Sequence, residues 1–334
     1  MPGEDITPDP GFVRCAKLRS PDHPVHRVKI GSRAFQRRGY RLVASRQPPE
    51  SSFCFGAVGG AYTTSEQIRS DLSEFATAVS SMKCRGILVL GNMGRHRKEL
   101  EQNYITLAAA GLPLFILPGA SEHMKRYEES LEMLSKRGVE VVDLARVRLV
   151  EWSDMTLLSV PGHHKHQPLG SGWWACGFTH RDVYEMMRLM DHKGSKKPVL
   201  LVSHASPLTS FAGPRGIDIG YGGAHGGSRA LTLLASFLRI GFSVNSQIDE
   251  AGPAGLNPIA KKRVPEEEFA PALWLHPGAV KRFEGDDGNA RKRIGAIMSF
   301  RNRGDVSGDS FSHSGKVHEV GRVEASYISV YSGT

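Results

Sequence analysis

The chain of 334 residues is 40% hydrophobic and 8% aromatic, an ordinary globular composition with room for one large or two medium domains. Lys and Arg (43) outnumber Asp and Glu (34) for a formal charge of +9, but the excess sits in short clusters (RVKIGSRAFQRRGYR, GRHRK, KKR, ARKR) without interleaved aromatics, which argues against a dedicated nucleic-acid surface while leaving one allowed. No run approaches the roughly 18 apolar residues of a membrane span, and MPGEDITPDPGF lacks a basic-then-apolar signal layout, so no membrane contact and a cytoplasmic placement are expected.

Residues 1–50 are rich in Pro, Arg and Ser with short apolar patches (FVRCAKL, VHRVKI, YRLVA), a pattern expected of a weakly structured leader or one packed on the domain of residues 51–334. From residue 53 onward, short β-rich runs alternate with amphipathic helical segments: FCFGAV then SEQIRSDLSEFATAVSSM, GILVLG then RKELEQNYITLAAAG, LPLFILPG then EHMKRYEESLEMLSKRG, followed by VEVVDL, RVRLVEW and MTLLSVPG. A helix over RDVYEMMRLMDHKG, the strand PVLLVSH, a helix over SRALTLLASFLRIG and strands at FSVNSQ, APALWLHPGAV and RIGAIMSF complete the series. The alternation predicts a layered α/β domain with partly parallel sheets and helices outside. Cys15, Cys54, Cys84 and Cys176 are far apart and form no CxxC pair, so reduced structural thiols are expected rather than a zinc knuckle or a disulfide framework.

In such a domain chemistry sits in the loops that close the strands. Those loops are GAVGG (56–60), GNMGR (91–95), PGASEH (118–123), PGHHKH (161–166), SHASP (203–207), AHGGS (224–228), NSQIDEAG (245–252) and HPGAV (276–280). In order and content the series resembles the calcineurin-like metallophosphoesterase family over residues 53 to about 300. GAVGG stands where the family has SDIHG, GNMG at its GD turn, PGASE at PGNHE, LLVSHASP at the LLxxHxPP strand, NSQIDEAG at SGHIHEAG, GIDIGYGGAHGGSRAL at the GIxD and HxGSxAL segment, and LHPGAV at the closing VNPGS strand. The resemblance implies a layered β-sandwich of mixed sheets flanked by helices (αββα). It also implies a site for two metal ions about 3.5 Å apart that polarise a phosphate and generate hydroxide.

The side chains at those positions argue the other way. Hard divalent ions need carboxylates, imidazoles and amide carbonyls, yet the first Asp is Ala57 and its His is Gly59. The bridging Asp is Asn92, the Asn and His of GNH are Ala120 and Ser121, and the two His of GHxH are Gln247 and Asp249. His204 alone keeps a family ligand. The resemblance therefore implies a degenerate, catalytically inactive member acting as a binding or scaffold module. A protein, a peptide or a small anionic ligand is expected over the old mouth, lined by His204, Asp249, Gln247 and Asn92, with no cofactor. The alternative is a hydrolase with a rebuilt site for one divalent metal ion around His204, His225 and Asp249, since three converging donors suffice for a mononuclear centre. His163, His164 and His166 also close a strand and are candidate lining.

Ser121, Glu122 and His123 are adjacent but make no GxSxG elbow, so a Ser nucleophile is not expected. PRGIDIGYGGAHGGS is either a backbone nest for an anion ahead of a helix at Ser228 or simply a flexible loop. Trp173 and Trp174 form either an exposed aromatic patch for a partner or core filling.

Overall fold

The computed structural model describes residues 13–15, 25–45, 48–164, 174–191, 197–220, 223–247, 253–280, 293–302 and 323–331. In the leader, β1 (Val13–Arg14) is a two-residue strand, while β2 (His26–Ile30), β3 (Arg33–Arg38) and β4 (Arg41–Ala44) form two successive antiparallel hairpins. Ile30, Phe35 and Leu42 are buried against the main core, whereas Arg27, Lys29 and Arg38 stand exposed. Within the leader, residues 26–44 thus form three strands joined by short turns and pack on the core of the domain.

The first half of the domain follows the predicted alternation. Parallel strands β5 (Ser52–Val58), β6 (Ile87–Val89), β7 (Leu114–Ile116) and β8 (Val141–Asp143) are separated by α1 (Glu66–Ser81), α2 (Arg97–Ala108) and α3 (Met124–Lys136). Helix α1 begins where the Ser65 hydroxyl accepts the Ile68 amide. It buries Ile68, Leu72, Phe75, Ala76 and Val79, a stripe at helical spacing.

The second half contributes β9 (Leu149–Glu151), β10 (Thr156–Val160), β11 (His163–His164), β12 (Cys176–Phe178), α4 (His180–Asp191), β13 (Val199–Ser203), α5 (Arg229–Phe237), β14 (Phe242–Val244), β15 (Pro253–Asn257), β16 (Lys262–Val264) and β17 (Leu273–Pro277). The long strands β18 (Arg293–Asn302) and β19 (Val323–Tyr331) then return antiparallel beside β5. The result is a six-stranded sheet, β19-β18-β5-β6-β7-β8, a ten-stranded sheet, β16-β15-β17-β14-β13-β10-β9-β4-β3-β2, and a three-stranded ribbon, β1-β12-β11.

Period-two alternation distributes the apolar side chains over three layers. Phe55, Ala57, Leu88 and Phe115 meet Val150, Leu157, Val202 and Val244 between the sheets. Val58, Ile87, Val89 and Ile116 pack outward under α1 to α3. Leu158, Val160 and Leu201 pack on the other outer face with α4 and α5 residues Val183, Met186, Leu231 and Leu234. This is the layered β-sandwich with mixed sheets and flanking helices expected from the sequence.

The expectation of reduced thiols is corrected. Cys15 is bonded to Cys176 across 161 residues of sequence, and Cys54 to Cys84 across 30, leaving no free cysteine among the described residues. The first bond joins the leader to β12 and the second joins β5 to the turn after α1. Both are tertiary adjacencies that cysteine spacing does not encode. Paired cysteines are characteristic of oxidising surroundings, and the pairing lends no support to the cytoplasmic placement expected from the sequence. Among the described residues no helix is long and apolar enough to cross a membrane.

Candidate functional site

The carboxyl ends of β5, β6, β7, β13 and β14 converge, and hydrogen bonds stitch their turns together. Gly60 N donates to Gly91 O (3.1 Å) and Tyr62 N to Asn92 O (2.7 Å), joining the first turn to the second. Gly91 (φ +86°) needs the left-handed region, and a Cβ there would stand 2.4 Å from Gly119 N, so the second and third turns meet backbone on backbone.

Asn92 sits at the centre of this contact in a left-handed conformation (φ 57°) that Asn tolerates better than most residues. Its Oδ1 accepts the amides of Ala120 and Ser121, both at 3.0 Å, and its Nδ2 donates to the Tyr62 hydroxyl at 2.7 Å. Buried Glu122 accepts Met93 N (2.6 Å) and Gly119 N (2.8 Å). Burial pushes its carboxyl pKa up, against the lowering effect of those amides.

His204 is fully buried, and its Nδ1 donates to Leu90 O at 2.7 Å. A carbonyl can only accept, so the ring proton is on Nδ1 and Nε2 carries a lone pair. That Nε2 is buried and has no hydrogen-bond partner among the described residues, and the same is true of Ser121 Oγ. Burial, opposed by the Leu90 bond and aided by the charge of nearby His163, lowers the His204 pKa from 6.5 to about 4. Ser246 Oγ also donates to Leu90 O (3.0 Å) and fills the space beside the first turn, where a Cβ on Gly59 would stand 2.6 Å from it.

The structure thus brings Gly59, Asn92, Ala120, Ser121 and His204 to one mouth, with Gln247 following Ser246 after β14, while Ala57 packs in the core between the sheets. Asp249 and His166 lie outside the described residues. His163 joins the mouth: Gly162 N donates to Pro118 O (2.9 Å), and His163 Nδ1 bonds Cys176 O (2.8 Å). Its neighbour His164 packs on Phe178 and His180, with centroids at 5.3 and 4.8 Å. His225 is held within its own loop, its Nδ1 2.8 Å from Asp218 Oδ1, where Asp218 also accepts Thr209 Oγ1 and Gly227 N. In that glycine-rich loop the group taking the amide is the chain's own carboxylate. Among the described residues no three His, Cys, Asp or Glu side chains are grouped to hold a metal ion. The rebuilt site would depend on Asp249.

Two participants had no signal in the sequence reading. Tyr62 and Ser246 occupy space and bonds at the mouth without belonging to any expected ligand position. Trp174 is 59% exposed and stacks on His123 at the rim (centroids 5.6 Å, interplanar angle 26°); Trp173 lies outside the described residues.

No protein-family model matches the chain, and no curated protein matches it. Among solved structures, one at 9% identity and TM-score 0.53 covers 74% of this chain and 94% of its own. A dimetal phosphatase from Danio rerio, 12% identical, aligns at TM-score 0.45 over 75% of this chain and 92% of its own. A phosphopantetheinyl hydrolase from Mycobacterium tuberculosis, 11% identical, aligns at 0.44 over 69% and 91%. Identities this low are likenesses of fold and carry no chemistry across.

Proposed function

We propose that the protein is a catalytically inactive, metallophosphoesterase-like binding or scaffold module. The observation that carries this reading is that the donor positions of the first two turns are taken up by the protein's own groups: Ser246 occupies the space at Gly59, and the Asn92 amide is used on two backbone amides and Tyr62. A dinuclear centre brings about four positive charges and needs carboxylates to balance them. Asn92 is neutral and Ala57 and Gly59 offer nothing, so the donor set does not fit that centre. A partner, whether protein, peptide or small anionic ligand, then meets the rim and not a metal.

Elemental analysis of freshly purified protein, made without chelators, tests this together with hydrolysis of bis(4-nitrophenyl) phosphate in added Mn²⁺. The expected result is substoichiometric Mn, Fe, Zn and Ni and a hydrolysis rate equal to that of His204→Ala. About one metal per chain, lost in both His204→Ala and Asp249→Ala, would replace this reading with the rebuilt mononuclear site. Two per chain would mean that the positional carry-over is wrong.

A further inference from the structure

We infer that the rim of the mouth binds single-stranded nucleic acid, with Trp174 as a stacking platform and the first turns of α2 and α3 as its phosphate contacts. This rests on the reading of the protein as a binding module and names the partner.

Sequence alone sets the cluster GRHRK and Trp174 nearly eighty residues apart, which is why the basic clusters read as lacking aromatics. The fold removes that separation. Met124 N donates to Trp174 O (3.1 Å), and Ala175 bridges to His123, so the indole is fixed over the start of α3. Arg126 Nη1 donates to Arg95 O (2.9 Å) and approaches His96 Nδ1 (3.5 Å), so the start of α2 is joined to the same surface. Arg95, Lys98, Lys125 and Arg126 are all exposed there.

The carboxylates nearby are engaged elsewhere. Glu99 accepts the amides of Arg95 and His96, Glu122 is buried on Met93 and Gly119, and Glu101 and Glu129 face Arg97. Glu128, exposed on α3, pairs with Arg146, so these carboxylates are engaged away from Arg95, Lys98, Lys125 and Arg126, which face solvent. Two helix N-termini, capped by His96 and His123, add partial positive charge of the same sign.

Cations alone would suit any polyanion. The indole decides between them: it stacks on His123, and Trp174 is 59% exposed beside the start of α3, where Lys125 and Arg126 stand. A base offers a π-face to such a platform while its phosphates meet the cations, the combination by which single strands are held without sequence readout. A duplex keeps its bases stacked and cannot use the indole.

Fluorescence anisotropy of a labelled oligothymidylate of about 15 nucleotides tests this in wild type, Trp174→Ala and Lys125→Glu/Arg126→Glu, with circular dichroism confirming that each variant is folded. Trp174→Ala should weaken binding roughly tenfold, the charge reversal should abolish it, and log K should fall with log salt at a slope of about −2 to −3. No binding at micromolar protein, equal binding by Trp174→Ala, or equal affinity for duplex would each overturn the inference. Gel analysis of the recovered oligonucleotide separates the two readings. Loss of binding with intact oligonucleotide overturns the inference and leaves the inactive reading standing, whereas binding with cleavage supports the inference and overturns inactivity.

Discussion

Acidification should destabilise this protein through His204, and the size of the effect follows from its burial. The imidazole titrates near 6.5 in the unfolded chain and near 4 in the fold, where burial opposes its charge. A basic group whose folded pKa is depressed contributes stability that is complete above its unfolded pKa and is lost as pH falls through the folded one. The interval from 6.5 to about 4, at about 1.4 kcal/mol per pH unit, is worth about 3 kcal/mol, of which about 2.5 kcal/mol is gone by about pH 4.5. The assay is urea unfolding followed by circular dichroism at pH 7.5 and 4.5, on wild type and His204→Asn, whose side-chain amide can still donate to Leu90 O. The variant should start less stable but lose about 2.5 kcal/mol less on acidification. Glu122 and Asp143, whose carboxyl pKa values burial raises, act in the opposite sense, losing stability as pH rises, and cancel between the two proteins. The same acid loss in both proteins would refute the argument, since His204 would then not be the group that titrates.

Three further outcomes are expected. Gly59→His, which restores a donor in name, should cost about 1–3 kcal/mol because its Cβ meets Ser246 Oγ, and calorimetric titration with Mn²⁺ should show no new binding. Asn92→Asp should stay within about 1 kcal/mol of wild type, because a carboxylate can accept the same two amides and the Tyr62 hydroxyl can turn to donate; Asn92→Ala, which orphans those amides, should cost about 2 kcal/mol by the same unfolding measurement. Cys54→Ser/Cys84→Ser opens a covalent loop spanning 30 residues and should lose about 3–4 kcal/mol, while alkylation and mass analysis of native wild type should find no free thiol.

The parallel half of the fold was legible because β5, β6 and β7 are largely buried on both faces and each has a helix after it. FCFGAV, GILVLG and LPLFILPG are continuous apolar runs closed by glycine, and the amphipathic stripe of α1 needs no tertiary information to be seen. The strands of residues 26–44 were obscure for the opposite reason: one face carries Arg27, Lys29, Arg38 and Arg41, which dilutes the apolar period that Val28, Ile30, Phe35 and Leu42 would otherwise display. β19 was missed similarly, its VEASYISVY mixing small and polar residues between β18 and the segment 266–270 that bonds its other edge. Cysteine pairing, the stacking of Trp174 on His123 and the joining of Arg126 to Arg95 depend on contacts across tens of residues. No local pattern records them.

At the mouth, the turn glycines and the identity of each substituted position could be read from order alone, but what replaces the donors could not. Loops that a metal centre would cross-link are here cross-linked by side chains. Asn92 ties the second turn to the third and, through Tyr62, to the first; Glu122 repeats the second-to-third link; His204 and Ser246 both anchor on Leu90 O. These bonds use small polar residues whose geometry requires the turns to be in place already, so a sequence scan sees only lost ligands. The physical consequence is a set of turns tied together by the chain's own side chains, in which Gly59 and Ser246 are complementary in volume. Restoring one donor then breaks a packed contact before it completes a coordination shell, which is why single reversions toward a metal site should lower stability and recover no activity.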